Sequence, residues 1–258
     1  MNIITIASLK GGVGKTTIAA NLAMAYYRKN MRVLAIDFDA NNNLTDMFCR
    51  DYSDEEILAK NSYQFLSRRM PANECIVPVL KAEKGKGRID CMPSVISLHS
   101  VAVEMRMDIM AMATTRDSLR ALDDQYDVCL IDTAPSRDYT THAGMFVADC
   151  IVAPINYGRW SVQAVRLLTE DYANIKEARG RLVHGSWAKD SAGPKLVVVR
   201  SAITPSEAKK FDESQPFPMS KNVVYKMAAL RSSVDKGVFV KKEHEASVIF
   251  SRLAKELL

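Results

Sequence analysis

The sequence predicts an α/β protein built on an open, mostly parallel, doubly wound sheet. Three observations point there: short β-branched apolar runs alternate with stretches of helical period, most of those runs are continuously apolar over about four residues, and the first strand-to-helix turn is rich in glycine. A strand covered by helices on both faces has no solvent side, so it shows as a continuous apolar run.

The elements follow in order. Asn2–Ser8 is a strand containing Ile3, Ile4, Thr5 and Ile6, and it runs into the glycine-rich turn. From Thr16 the period becomes helical, with Ile18, Ala19, Leu22, Ala23, Ala25 and Tyr26 on one broad face. Arg28, Lys29 and Arg32 flank Asn30, and Val33–Ile36 is a second buried strand. Strand, loop, helix and strand within the first 37 residues make one βαβ unit. The rhythm then repeats. Arg88–Met92 is a strand, Ser97 to about Met112 a helix, and Ser118–Leu122 the close of another helix. Val128–Ile131 and Cys150–Pro154 are strands, Ser161 to about Ala178 a long helix, Leu196–Val199 a strand and Glu245–Leu257 a terminal helix. Lys81–Arg88 and Gly180–Pro194, rich in Gly and basic residues, are predicted surface loops. There is no internal repeat, and residues 1–258 read as a single domain.

Composition narrows the function class. At 48% hydrophobic and 25% charged, the 258 residues supply an ordinary globular core. A net charge of +5 permits binding to nucleic acid or an anionic membrane without requiring either. The five cysteines are scattered and form no C-x-x-C pair, which argues against a disulfide framework, a zinc knuckle and an iron–sulfur run. No apolar run approaches the roughly 20 residues needed to span a bilayer, and a strand at Asn2 leaves no room for a secretion signal. The expected location is cytoplasmic.

The chemistry concentrates in Lys10-Gly11-Gly12-Val13-Gly14-Lys15-Thr16-Thr17, between a strand and a helix. Glycines let the backbone turn several N–H groups inward, and the helix N-terminus adds a positive end, so the loop forms an anion-binding nest. Lys15 is placed to neutralise β- and γ-phosphate oxygens, and the Thr16 hydroxyl to ligate Mg²⁺. Thr17 stands where the dinucleotide fingerprint needs its third glycine, and Leu9 where the strict Walker loop needs its first. Two further strands end in acids: Ile36-Asp37-Phe38-Asp39, whose carboxylates alternate faces, and Asp127-Val128-Cys129-Leu130-Ile131-Asp132, of Walker B form.

The loop K-G-G-x-G-K-T-T resembles the deviant Walker A of the ParA/MinD family, which implies a P-loop NTPase fold, bound ATP and Mg²⁺, and slow, partner-stimulated ATP hydrolysis. In that family the extra lysine, here Lys10, reaches phosphates held by the partner subunit. A cation then arrives only when two loaded monomers form a homodimer, as an arginine finger does. The resemblance assigns Asp37 and Asp132 to the Mg²⁺ water shell, Asp39 to the attacking water, and Thr133-Ala134-Pro135-Ser136 to a second switch. The family commonly reads D-x-D-P-Q where this chain has Ala40 and Asn41, so the switch loop Ala40–Thr45 is set differently. The resemblance covers some three-quarters of the chain and is weakest at 50–85 and 180–195.

The carrier surface separates the family's uses. Lys221, Lys226, Arg231, Lys236, Lys241 and Lys242 are opposed between 219 and 242 by Asp235 alone, and this excess of five cations equals the whole net charge. By resemblance, such a C-terminal patch, doubled by dimerisation, binds DNA non-specifically through phosphates. That reading makes the protein nucleoid-associated, with a ParB-like or adaptor protein as partner. With no room for a helix-turn-helix ahead of Asn2, the chain resembles the shorter ParA type. The alternatives are a MinD-like membrane-associated ATPase, disfavoured because Arg252 and Lys255 are the only cations near the terminal apolar face, and a soluble metabolic enzyme of the dethiobiotin synthetase type. Nitrogenase iron protein, Mrp-type scaffolds and tyrosine autokinases each need cysteine or tyrosine clusters that this sequence lacks.

Overall fold

The computed structural model describes residues 1–105, 108–182, 193–211, 217–237 and 239–258. The strands are β1 (Asn2–Ile6), β2 (Arg32–Phe38), β3 (Val77–Lys81), β4 (Arg88–Met92), β5 (Val128–Thr133), β6 (Cys150–Ile155), β7 (Lys195–Ile203) and β8 (Met219–Tyr225). The helices are α1 (Lys15–Tyr27), α2 (Asn43–Phe48), α3 (Asp54–Ala59), α4 (Ser62–Leu66), α5 (Leu98–Glu104), α6 (Ile109–Arg120), α7 (Tyr139–Val147), α8 (Arg159–Arg181), α9 (Pro205–Lys210), α10 (Ala228–Lys236) and α11 (Glu245–Leu257). All eight strands join one sheet in the order β3-β4-β2-β5-β1-β6-β7-β8. Only the β3–β4 pairing is antiparallel. The predicted class is therefore the observed one.

The uniformly apolar strands divide their side chains between two cores. Ile3, Leu34, Ile36, Cys129 and Ile131 face α5–α8, while Ile4, Ile6, Val33, Ala35 and Leu130 face α1, α2 and α11. Helix α1 is buried nearly all round, between the sheet and α11, and the Tyr26 hydroxyl donates to the Ala254 carbonyl at 3.1 Å. The broad apolar face read from the sequence belongs to a central helix.

The structure departs from the sequence reading in several places. The helix expected over Ser97 to Met112 is two, α5 and α6, because Asp108 Oδ1 accepts the N–H groups of Met110 and Ala111 (2.9 and 3.1 Å) and starts a new helix. Residues 106–107 lie outside the described residues, and Ser118–Leu122 holds the end of α6. β3 was hidden by Pro78, which is tolerated because β3 is an edge strand with a register shift between Pro78 and Leu80. β8 was hidden by Ser220, Lys221 and Asn222, polar residues that the other edge of the sheet accommodates. Of the two predicted loops, 82–87 joins antiparallel β3 and β4, with Asn30 Oδ1 accepting the N–H groups of Lys86 and Gly87 (2.9 and 2.8 Å). Gly180–Pro194 falls mostly outside the described residues, though α8 continues through Gly180. Among the described residues, the five cysteines are free and buried, and no helix is long and apolar enough to cross a membrane.

Candidate functional site

Strand β1 lies between β5 and β6, the place where strand order reverses, so its loop opens into the crevice at the carboxyl edge of the sheet. Gly12 (φ 71°) and Gly14 (φ 86°) adopt left-handed backbone that other residues resist. Gly14 is also the N-cap of α1, and a Cβ there would sit 3.0 Å from Ser201 Oγ on β7. Around Gly11 and Gly12 nothing lies within 4 Å of an added Cβ, so the loop backbone faces open space while Val13 anchors it in the core. Thr17 lines the same opening.

Lys15, only 8% exposed, stands in the first turn of α1. Burial draws its ammonium below the usual lysine range, and Asp132 and Asp39 work against that shift. Thr16 Oγ1 donates to Asp132 Oδ2 at 2.6 Å. The other oxygen of Asp132, Oδ1, is buried without a hydrogen-bond partner. Burial, then the neighbouring Asp37, pushes this carboxyl up to about 8. The residues present fit a phosphate–Mg²⁺ group: an open glycine loop, a buried cation, and a hydroxyl bonded to a carboxylate whose other oxygen is buried without a partner. Among the described residues no three of His, Cys, Asp and Glu are grouped to hold a metal.

The geometry separates acids that the resemblance had paired. Asp37 and Asp132 are register partners across β2 and β5, and both are fully buried. Yet both oxygens of Asp37 are engaged: Oδ1 accepts the Asp39 N–H (3.0 Å), and Oδ2 accepts the Thr45 N–H (2.9 Å) and hydroxyl (2.8 Å). Burial pushes its carboxyl up to about 7, against the pull of those bonds. Asp39 turns the other way and accepts both the N–H and the side-chain amide of Asn41 on Oδ1, each at 2.9 Å. So Asn41, a departure from the family pattern, directly holds Asp39.

Lys10 points away from its own loop. Its Nζ donates to Asn156 Oδ1 (3.0 Å), just past β6, and to Ser161 Oγ (2.8 Å), in the first turn of α8. Ser161 in turn donates to Asn156, so the seat is neutral and closed on itself. Beside it, the predicted second switch is pinned at both ends. Thr133 Oγ1 donates to the Ile6 carbonyl (2.9 Å), Asp138 caps α7 and receives the Ser136 hydroxyl (2.8 Å), and Arg137 clasps Asp171 of α8. Sequence reasoning missed Asn156, Ser161 and Arg137, and marked Thr45 only as the end of the switch loop. The only available signal was position, since each follows the carboxyl end of a strand of the central sheet.

The six basic candidates do not share one element. Lys221 is on β8 and Lys226 just beyond it, Arg231 and Lys236 are on α10, and Lys241 and Lys242 precede α11; all six are exposed. The side chain of Asp235 lies outside the described residues. Lys226 and Arg231 line a cavity of about 590 Å³ with Gly12, Gly14, Thr17, Val224 and Leu230. That space adjoins the phosphate loop and is mostly apolar, a form suited to a planar base.

Comparison with known proteins agrees with this geometry. A family model described as an AAA domain matches residues 1–183. The chain is 30% identical over 185 residues to the uncharacterised protein MJECL24 of Methanocaldococcus jannaschii, covering 69% of this chain and 68% of that one. It is 26% identical to IncC of Escherichia coli (70% of this chain, 48% of that) and 26% identical to the sporulation initiation inhibitor Soj of Bacillus subtilis (64% and 62%). The match thus spans about half to two-thirds of these relatives. Among solved structures, the fold is similar to a plasmid partition protein of Borrelia burgdorferi bound to AMPPNP (TM-score 0.76, 23% identity, 99% and 97% covered). It is also similar to an ATP complex of Cyanothece McdA (0.77, 18%, 100% and 96%) and to a cobyrinic acid a,c-diamide synthase of Mycobacterium smegmatis with ADP and magnesium (0.75, 16%, 100% and 94%). A family match over more than half of the chain, on a sheet carrying this loop and these acids, shows that the protein belongs to the ParA/MinD family of P-loop ATPases.

Proposed function

We propose that this single-domain protein is an ATP-dependent dimerising switch that binds DNA non-specifically and partitions or positions a cargo, with hydrolysis stimulated by a ParB-like or adaptor protein. The observation that carries the reading is the division of labour between two lysines of one turn. Lys15 is buried among acids beside its own phosphate cradle, while Lys10 rests on a neutral seat that it can leave without stranding a counter-ion. A triphosphate on a second subunit offers Lys10 far stronger attraction than two neutral oxygens do.

In this reading the N–H groups of Gly11–Thr17, with Lys15, bind the triphosphate, and the Thr16 hydroxyl and Asp132 Oδ1 hold Mg²⁺, the latter through water. Mg²⁺, when bound, offsets phosphate charge and fixes the oxygens of the transferring group. Asp39 orients the attacking water with the oxygen that Asn41 leaves free. The apolar cavity beside Gly14 receives the base, which draws Lys226 and Arg231 toward the nucleotide and leaves Lys221, Lys236, Lys241 and Lys242 as the outward DNA-facing cations.

Membrane attachment through α11 meets an energetic obstacle. Phe250, Leu253 and Leu257 are already buried against α1 and the sheet. At about 1.5–3 kcal/mol per side chain, extracting the three costs roughly 5–9 kcal/mol. The test measures sedimentation with a non-hydrolysable ATP analogue, then binding to random-sequence duplex and to anionic liposomes across a salt series. The expected outcome is a dimer that binds duplex with a steep loss of affinity in salt. Liposome binding alone would establish the MinD-like alternative. A monomer that binds neither would point to a metabolic enzyme, as on the similarly folded diamide synthase.

A further inference from the structure

Helix α2 begins without the usual local cap: its N-cap residue, Asn42, has left-handed backbone and makes no side-chain capping bond. The free N–H of Thr45 goes instead to Asp37, eight residues back on β2. The Thr45 hydroxyl is engaged both as donor and as acceptor. It donates its one proton to the same Asp37 oxygen (2.8 Å) and accepts the Ser94 N–H, from the connection after β4, at 2.7 Å. All these groups are buried, Ser94 and Asp37 completely, so a lost bond leaves a buried polar group unmatched. The second oxygen of Asp37 holds the Asp39 N–H. A continuous run of hydrogen bonds therefore links the β4–α5 connection, α2, the end of β2 and the backbone of Asp39.

We infer that Thr45 is a positioning residue for hydrolysis: its hydroxyl clamps Asp37 between α2 and the Ser94 backbone, and Asp37 thereby fixes where Asp39 stands. Asp37 is on this account an anchor for the switch loop rather than a group that faces the ion. The clamp also couples the site to its surroundings. Thr45, Ser94, Val95 and the exposed Ile96 share the wall of a cavity of about 460 Å³ on the outer side of the loop, so displacement there moves the hydroxyl that holds Asp37. The kinetic consequence rests on the proposed hydrolytic role of Asp39; the clamp itself rests on the hydrogen bonds alone.

The experiment uses the full chain and two substitutions. Thr45→Val keeps the shape and deletes the hydroxyl, whereas Thr45→Ser keeps the hydroxyl and deletes a methyl. Mg–ATP affinity is measured by titration with a fluorescent analogue, turnover by single-turnover hydrolysis, and the clamp by amide hydrogen exchange at Ser94 and Asp39. Thr45→Val is expected to slow hydrolysis by about 30-fold while affinity stays within about 3-fold, because a bond to a charged group is lost away from the phosphates. Exchange at Ser94 and Asp39 accelerates while the β1 amides keep wild-type protection, and Thr45→Ser restores both readouts. Wild-type turnover in Thr45→Val, or equal impairment in Thr45→Ser, overturns the inference. If Thr45→Val does not fold, the wild type still decides: a Ser94 amide exchanging as fast as the 82–87 loop overturns the clamp. A wild type that never hydrolyses ATP removes the role of Asp39 instead, and the exchange data then judge the clamp separately.

Discussion

The two edges of one parallel sheet treat their acids in opposite ways. At the amino edge, Asp127 meets Arg32 at 2.8 Å and Lys86 at 3.7 Å, and Asp149 receives the Ile3 N–H at 2.8 Å together with Arg120. Asp90 is held by Arg88 at 3.0 Å and by the Tyr126 hydroxyl. Each carboxylate there has an arginine of its own. At the carboxyl edge, Asp37, Asp39 and Asp132 lie close enough to oppose one another's charge, Lys15 acts on Asp132 and Asp39, and one buried oxygen of Asp132 has no partner. The electrostatic signs follow for the extreme members, although burial still raises Asp90 against the pull of Tyr126 and Arg88. The Arg32 hydrogen bond draws Asp127 down to about 2, whereas burial drives Asp132 up to about 8. The acids of the amino edge arrive with their counter-ions, whereas those of the carboxyl edge are short of positive charge, the condition expected of acids that await a cationic ligand.

The sharpest way to break this contrast is at Lys15. Lys15→Ala should lower Mg–ATP affinity by about 100-fold or more, since it removes the cation nearest the phosphate cradle; unchanged binding in a fluorescence titration would show that the carboxyl edge is not a phosphate site. Asp132→Asn tests the unpaired acid. Its folded pKa lies above the unfolded value, so the folded protein holds a proton that the unfolded chain releases, and the apo wild type loses stability as pH climbs from about 4 to about 8. Thermal melts should therefore show the variant gaining on the wild type across that window, while the Mg²⁺ dependence of its ATP binding weakens. A difference in Tm that stays flat with pH would contradict the strain assigned to Asp132. The smallest effect belongs to the amino edge. Asp127→Asn should cost about 1 kcal/mol at neutral pH, the scale of a partly exposed ion pair. Because the Asp127 pKa is lowered, its contribution is present above about pH 4 and fades as pH falls toward 2. Urea titrations at pH 7 and pH 3 check this, and a larger cost at the lower pH would reverse the assignment.

The elements legible in sequence were those in which one physical signal acts alone. Strands covered on both faces leave little room for polar residues, so β1, β2, β5, β6 and β7 stood out as largely apolar runs, while β4, with Arg88 and Asp90, gave a weaker signal. The glycine loop stood out because two positive-φ positions and a phosphate cradle tolerate little else. The edge strands β3 and β8 escaped because an edge relaxes the same rule. The short helices α2, α3, α4, α7, α9 and α10 escaped because five to nine residues hold too few turns for a period.

The site divides along the same line. The candidate residues were readable from chain order: a loop with two lysines, and two strands ending in acids. How those residues differ was not. Asp37 and Asp132 look alike in the sequence, and only the folded chain brings Thr45 to one and leaves an oxygen of the other bare. Lys10 and Lys15 are five positions apart, and only the tertiary structure seats one against Asn156 and Ser161 and the other among carboxylates. The reason is physical. Local sequence sets backbone freedom and the apolar period, which act over a few residues, whereas charge state and hydrogen-bond partners depend on groups that topology brings together from more than a hundred positions away.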